Sequence, residues 1–218
     1  MSKSERQAFG LRILNNSNKD IKRLRKETGM PNIHGNKFWK SSLLLMDYLS
    51  AYPPENIRDN STKKTGKKRP IRVLEVGCGW GLAAIFCAKE FGATVTGLDA
   101  DETVFPYFVH HAEINGVEVE TWQCRYEKVR KLDLEAFDIV IAADICFWDE
   151  MVSPLYKLVR RAQQAGGVRV VITDPGRPTF TEMAERCVDK LGAFLEPWSA
   201  PHPHNMSGWV LDLDPAAK

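Results

Sequence analysis

The chain has 218 residues, 44% hydrophobic and 27% charged, and its 30 basic against 28 acidic side chains leave a formal charge of +2. This is the composition of an ordinary soluble globular protein, and it excludes a polycation that holds nucleic acid through bulk charge. At roughly 100–200 residues per domain, the length suits one α/β domain with an N-terminal extension.

Five cysteines, an odd number without a CxxC pair, argue against a disulfide framework and against a zinc site. The opening MSKSERQAFGLRILNNSNKD lacks the apolar stretch of a secretory leader. No apolar run approaches the ~18 residues needed to cross a bilayer. The expected address is the reducing cytoplasm, with no membrane contact.

In chain order, residues 1 to 30 are polar and basic, and Leu11, Ile13, Leu14, Ile21 and Leu24 read as a loose helical stripe that needs a partner surface. Lys37 to Tyr52 predicts a helix stopped by Pro53-Pro54. Residues 55 to 70 hold six basic and two acidic side chains and one large apolar one, which predicts a solvated loop. From Ile71 onward strand and helix signals alternate, the pattern of βαβ units in a mostly parallel sheet. Strands are predicted at 71–76, 93–98, 117–123, 137–142 and 168–173. Helices are predicted at about 82–91, 102–114, 153–165 and 179–191. Two final strands, 194–198 and 208–213, have no helix between them and predict an antiparallel pair at the sheet edge. The expected organisation is an N-terminal arm, cofactor-covering helix and basic loop over residues 1–69, followed by a Rossmann-like seven-strand domain over residues 70–218.

In an open parallel sheet, ligands bind beyond the carboxyl ends of the strands. VLEVGCGWG, from Val73 to Gly81, lies there as a strand, three glycines at alternating positions, and a helix. Its GxGxG spacing, with Leu at position 82, departs from the GxGxxG of dinucleotide folds. Asp99 follows Gly81 by 18 residues at the end of the second strand, where a carboxylate accepts hydrogen bonds from ribose hydroxyls.

VLEVGCGWG followed by VTGLDAD resembles the first two motifs of the class I, seven-strand S-adenosylmethionine-dependent methyltransferases, over about residues 70–214. The resemblance implies S-adenosyl-L-methionine as cofactor. It implies that Glu75 orients the methionine amino group, that Gly77, Cys78, Gly79 and Gly81 pass beneath the amino-acid end, and that Asp99 with Ala100 meets the ribose. Cys124, Arg125 and Tyr126 fall where this family contacts adenine, although the acid often found there is absent before Glu127, and Cys124 also reads as a buried small hydrophobe. Trp80 stands where a small residue is usual, and reads as a cap over the sheet edge or as a ligand contact.

The fourth strand leads into Ala143-Asp144-Ile145-Cys146-Phe147, of which Ala143 is by the same resemblance a candidate cofactor contact. Members that methylate exocyclic amines of bases carry Asn or Asp followed by Pro-Pro and an aromatic residue at this point, so nucleic acid is not the expected partner. Asp144 to Phe147 resembles instead the acid-x-x-aromatic signature of seven-strand protein lysine methyltransferases. A carboxylate attracts and orients an amine, and an aromatic face packs on its methylenes. Asp144 and Phe147 are therefore the candidate catalytic residues, and a protein lysine, or a small-molecule amine, is the candidate acceptor; the alternative from another class is a non-catalytic module that binds S-adenosylmethionine and transfers nothing.

His34 to Ser42 resembles the segment with which that branch covers its cofactor, making Trp39 a candidate cofactor contact. Asp174-Pro175-Gly176-Arg177 resembles a motif of electron-transfer-flavoprotein lysine methyltransferases and of relatives labelled predicted nicotinamide N-methyltransferases, and is also ordinary turn chemistry. His202 and His204 lack a third ligand partner. His110 and His111 read as surface residues. Lys63, Lys64, Lys67, Lys68 and Arg69 read as a solvated basic loop. Asp144, Asp149, Glu150 and Asp174 give the acceptor edge a negative charge, which anticipates a cationic acceptor.

Overall fold

A computed structural model describes residues 4–29, 31, 35, 37–55 and 69–215. Seven strands form one sheet: β3 (Arg72–Val76), β4 (Thr94–Asp99), β5 (Glu120–Gln123), β6 (Ile139–Ala143), β7 (Arg169–Asp174), β8 (Phe194–Ala200) and β9 (Met206–Leu213). Their order is β5-β4-β3-β6-β7-β9-β8. All pairings are parallel except those of β9, which runs antiparallel to both β7 and β8. This is the expected α/β sheet with an antiparallel closing pair.

The central strands RVLEV, IVIAA and RVVITD are almost wholly buried because helices cover both faces. On one face α6 (Asp149–Gln164) and α7 (Pro178–Leu191) bring Leu155, Val159, Phe180 and Met183 against Val140 and Ile172. On the other, α2 (Ser41–Ala51), α3 (Leu82–Phe91) and α4 (Phe105–Asn115) bring Leu45, Leu49, Ile85 and Phe108 against Val73 and Ile141. A short α5 (Lys131–Leu134) follows β5, held by Arg130 and Asp133 across its first turn, and was not foreseen from the sequence.

The N-terminal stripe is not a helix. Residues 5–14 form a hairpin of β1 (Glu5–Ala8) and β2 (Leu11–Leu14). Phe9 and Gly10 at its turn both take positive φ, 49° and 71°, the two-residue geometry that matches strand twist. Leu11 and Ile13 are buried with Arg12 exposed between them, so the periodicity is two rather than 3.6. Only then does α1 (Lys19–Thr28) begin, capped by the Asn18 side chain.

The partner surface required by this arm is α4. Asn115 accepts from the Arg12 backbone N–H at 2.8 Å and donates to its carbonyl at 3.0 Å. His111 Nδ1 donates to the Tyr107 carbonyl at 2.8 Å, leaving Nε2 to accept the Leu14 N–H at 3.3 Å. His111 is thus fully buried, contrary to the surface position expected of it. Sequence alone does not show that the hairpin will lie over that helix face. Burial pulls its pKa down to about 4.

Lys63, Lys64, Lys67 and Lys68 lie outside the described residues. Arg69, read as part of the same solvated loop, forks onto the buried Asp138 carboxylate with two bonds of 2.6 Å and so belongs to the folded domain. The observed β5 is shorter than predicted, and α2 begins four residues later than predicted. Among the described residues no helix is long and apolar enough to cross a membrane.

Candidate functional site

At the carboxyl ends of β3, β4 and β6 lies a cavity of about 580 Å³, within the ~300–1,000 Å³ range of ligand pockets. Every residue singled out from sequence as a cofactor or catalytic candidate lines it: Trp39, Glu75, the loop residues Gly77, Cys78, Gly79 and Gly81, Asp99, Ala100, Cys124, Arg125, Ala143, Asp144 and Phe147. His202 and His204 are not among the lining residues, and the His204 ring stacks on Phe9 at 4.2 Å. Among the described residues no group of three or more His, Cys, Asp or Glu is placed to hold a metal ion.

The glycine loop is shaped by two close approaches. Gly81 has φ +66°, and a β-carbon there would land within the ring of the buried Phe108. Gly77, at φ +64°, would push a β-carbon to 2.8 Å from Ile145 Cγ2. Gly81→Ala therefore combines a left-handed backbone with overpacking, and should cost about 3 kcal/mol. Thermal melting should show this as a loss of about 10 °C; an unchanged melting temperature would mean that the loop and Phe108 move apart freely.

The loop is fastened to the second strand by Asp99. Its Oδ2 accepts the Gly79 N–H at 3.1 Å and its Oδ1 accepts the Asp101 N–H at 3.0 Å. Each oxygen is held by one backbone donor and retains a further lone pair, and the residue is only partly buried at the cavity wall. That is what a pair of vicinal hydroxyls requires. Burial raises the Asp99 pKa against those two amide bonds.

Glu75 sits at the end of β3, almost fully buried, with Oε2 accepting the Ala84 N–H at 2.9 Å. Burial pushes its carboxyl up to about 8, with Asp99 adding to the shift and the Ala84 bond opposing it. Between pH 4.5 and 8 the folded protein thus holds a proton that the unfolded chain has lost, so this residue's contribution makes stability fall as pH rises through that window. A nearby ammonium would reverse the shift. Melting curves from pH 5 to 8 should show a decline in wild type that is flattened in Glu75→Gln, by an amount of order a few kcal/mol. Parallel curves would exclude a raised Glu75 pKa.

Trp80, which also lines the cavity, is 3% exposed and stacks on Tyr107 at 5.7 Å and on His111 at 5.1 Å. Its indole N–H donates to the Gly35 carbonyl at 3.0 Å, and Tyr107 donates to the Gly29 carbonyl at 3.2 Å. The loop residue therefore ties the chain before α2 to the site. The Thr173 hydroxyl donates to the Ser41 carbonyl at 3.0 Å, and Tyr48 reaches Asp212 at 2.9 Å, so α2 is fixed to the sheet at both ends. Trp39 is thereby held 6.0 Å from Phe147.

At the position expected to meet adenine, Cys124 is partly exposed rather than the buried small hydrophobe expected, because β5 is an edge strand. The Arg125 side chain is exposed and pairs with Glu127 at 2.8 Å. Tyr126, Trp148 and Met151 also line the cavity. Tyr126 belongs to the segment read from the sequence as an adenine contact, whereas no motif marked Trp148 and Met151, and it is chain direction after β6 that delivers them.

Asp144 follows β6 with φ +60°, 6% exposed, and its N–H donates to the Thr173 carbonyl at 2.8 Å. Its carboxylate bonds Arg177, whose guanidinium lies over Phe147 at 4.9 Å. The Asp174-Pro175-Gly176-Arg177 segment is indeed a turn, with Asp174 Oδ1 accepting the Gly176 and Arg177 N–H groups at 2.8 and 2.7 Å. Of the four acids placed at the acceptor edge, Asp149 and Glu150 are exposed, while Asp144 and Asp174 are buried and share Arg177.

A ubiquinone biosynthesis O-methyltransferase of Ruegeria sp. (strain TM1040) is 30% identical over 128 residues, covering 58% of this chain and 50% of that protein. The electron transfer flavoprotein beta subunit lysine methyltransferase of Xenopus laevis is 28% identical over 110 residues, covering 50% of this chain and 44% of that protein. The chain thus spans about half the length of these curated relatives. Among solved structures, a human methyltransferase 10 domain containing protein superposes with a TM-score of 0.57 at 11% identity, over 88% of this chain and 93% of that one. The family model described as Methyltransferase domain matches residues 73–188, more than half of the chain. With the strand order, the glycine loop and the Asp99 carboxylate, this match places the chain in the class I S-adenosylmethionine-dependent methyltransferases.

Proposed function

We propose that this methyltransferase acts on nitrogen, transferring the methyl group to a lysine of a protein partner. The observation that carries the reading is that Asp144 and Phe147 both line the cavity and share one cation, a buried carboxylate and an aromatic face joined through Arg177. The likeness to a lysine methyltransferase supports it.

S-adenosylmethionine supplies a methyl group on a sulfonium, which is open to in-line displacement. What the chain must do is hold a neutral nucleophile in line and keep water away. In this reading Glu75 would take the methionine ammonium, the Gly77–Gly81 loop would pass under the amino-acid end, and Asp99 with Ala100 would meet the ribose. Cys124 and Arg125 would flank the adenine, Ala143 would stand beside the sulfonium, and Trp39 would cover it. The lysine ammonium would first release a proton to solvent; Asp144 would then accept a hydrogen bond from the amine and fix its lone pair toward the methyl carbon, with S-adenosylhomocysteine as the leaving group. Residues 1–69 serve as cover and residues 70–218 as the cofactor domain.

A second reading, O-methylation of a small molecule, is favoured by the identity to the Ruegeria O-methyltransferase. One experiment separates the two. Incubation with methyl-labelled cofactor and cell extract, divided by protease, nuclease and size filtration, should leave label in protease-sensitive material as methyl-lysine. Label in the small-molecule filtrate, or label removed by nuclease, would overturn the lysine assignment.

A further inference from the structure

The cation already at the acceptor edge belongs to the chain itself. Arg177 caps the start of α7, and its Nη1 donates to Asp144 Oδ1 and, at 3.2 Å, to Asp174 Oδ2. Asp144 is 6% exposed and Asp174 fully buried, whereas the Arg177 side chain keeps 28% of its surface in solvent. Two buried carboxylates thus share one guanidinium, leaving the trio one positive charge short of neutrality. The guanidinium also lies over the Phe147 ring, the geometry of a cation on an aromatic face.

We propose that Arg177 is an internal stand-in for the acceptor's alkylammonium, holding the Asp144 carboxylate until the acceptor arrives and then withdrawing onto Asp174. The proposal rests on the N-methylation reading above and adds the residue that selects for charge. A buried carboxylate without a partner is costly, so the acceptor-free site needs a cation on Asp144. Arg177 meets that need on a long, partly exposed stem. Asp174 offers it a second carboxylate, and the turn that carries Arg177 is held by backbone bonds to Asp174 that do not depend on its side chain. An incoming ammonium brings the charge that Arg177 removes. A neutral hydroxyl brings none, so it cannot displace the guanidinium from Asp144. Of the cations that line the cavity among the described residues, Lys37 is placed over Trp39 at 4.3 Å and Arg125 pairs with Glu127 at 2.8 Å, so neither is paired with Asp144.

The test uses the full chain saturated with S-adenosylhomocysteine, with n-butylammonium, n-butylguanidinium and n-butanol as probes, followed by tryptophan fluorescence. Wild type should bind all three weakly. Arg177→Ala should bind both cations about ten-fold or more tightly, by the strength of a charge-assisted hydrogen bond, with no gain for butanol. Asp144→Asn added to Arg177→Ala should abolish the gain. No gain for the cations, or an equal gain for butanol, would overturn the proposal and leave Arg177 as a structural clamp. If Arg177→Ala does not fold, Arg177→Gln keeps the stem without the charge and gives the same readout. The titration needs no methyl acceptor, so its failure is distinguishable from failure of the lysine assignment, which the labelled-extract experiment decides.

Discussion

Replacing Asp144 with Asn should leave cofactor binding intact and lower methyl transfer by about 10²–10⁴-fold, the range lost when a positioned acid–base group is removed. The substitution is informative because of the backbone. Asp144 has φ +60°, and Asn is among the few residues besides glycine that accept that conformation. The loop after β6 should therefore keep its path, with its N–H still bonded to Thr173, while the negative charge is lost. Calorimetry with S-adenosylhomocysteine checks the first half, and label incorporation into extract protein checks the second. Turnover within about three-fold of wild type would reduce Asp144 to a structural partner of Arg177.

Asp99→Ala should weaken S-adenosylmethionine about 100-fold or more while the protein stays folded. Hydrogen bonds to a charged acceptor are each worth ~1.5–3 kcal/mol when one partner is removed, and two ribose hydroxyls are at stake. The Gly79 and Asp101 N–H groups lose their acceptor as well, which loosens the glycine loop. Asp99→Asn is the finer probe. Its amide can keep one backbone bond, but it then points an NH₂ at the other donor, so it too should bind poorly, though less so than Ala. Isothermal titration with both cofactor forms measures this, and a wild-type Kd in Asp99→Ala would remove the ribose assignment.

The alternation of buried strands with helices, the antiparallel closing pair and the VLEVGCGWG…Asp99 constellation were all legible in the chain. They are encoded within short windows: an apolar run for each strand, glycines where a β-carbon would strike Phe108 or Ile145, and an acid one strand away. Where the window held two periods at once, the reading failed. Leu11 and Ile13 fit both a loose helical stripe and a hairpin, and what decides is the Phe9-Gly10 turn together with the side chains of Asn115 and His111, which bond the hairpin backbone from a helix about a hundred residues away. His111 was misplaced for the same reason.

The cofactor and catalytic candidates singled out from the chain all line one cavity, because the chemistry of a strand–glycine–helix turn is local. What the acids at the acceptor edge face emerges only once distant segments pack together. Asp144, Asp174 and Arg177 come from the ends of two neighbouring strands, β6 and β7, and whether two carboxylates repel or share a guanidinium depends on distances that no local pattern carries. A motif names a carboxylate, but its charge balance is set by the side chains that folding brings within reach of it.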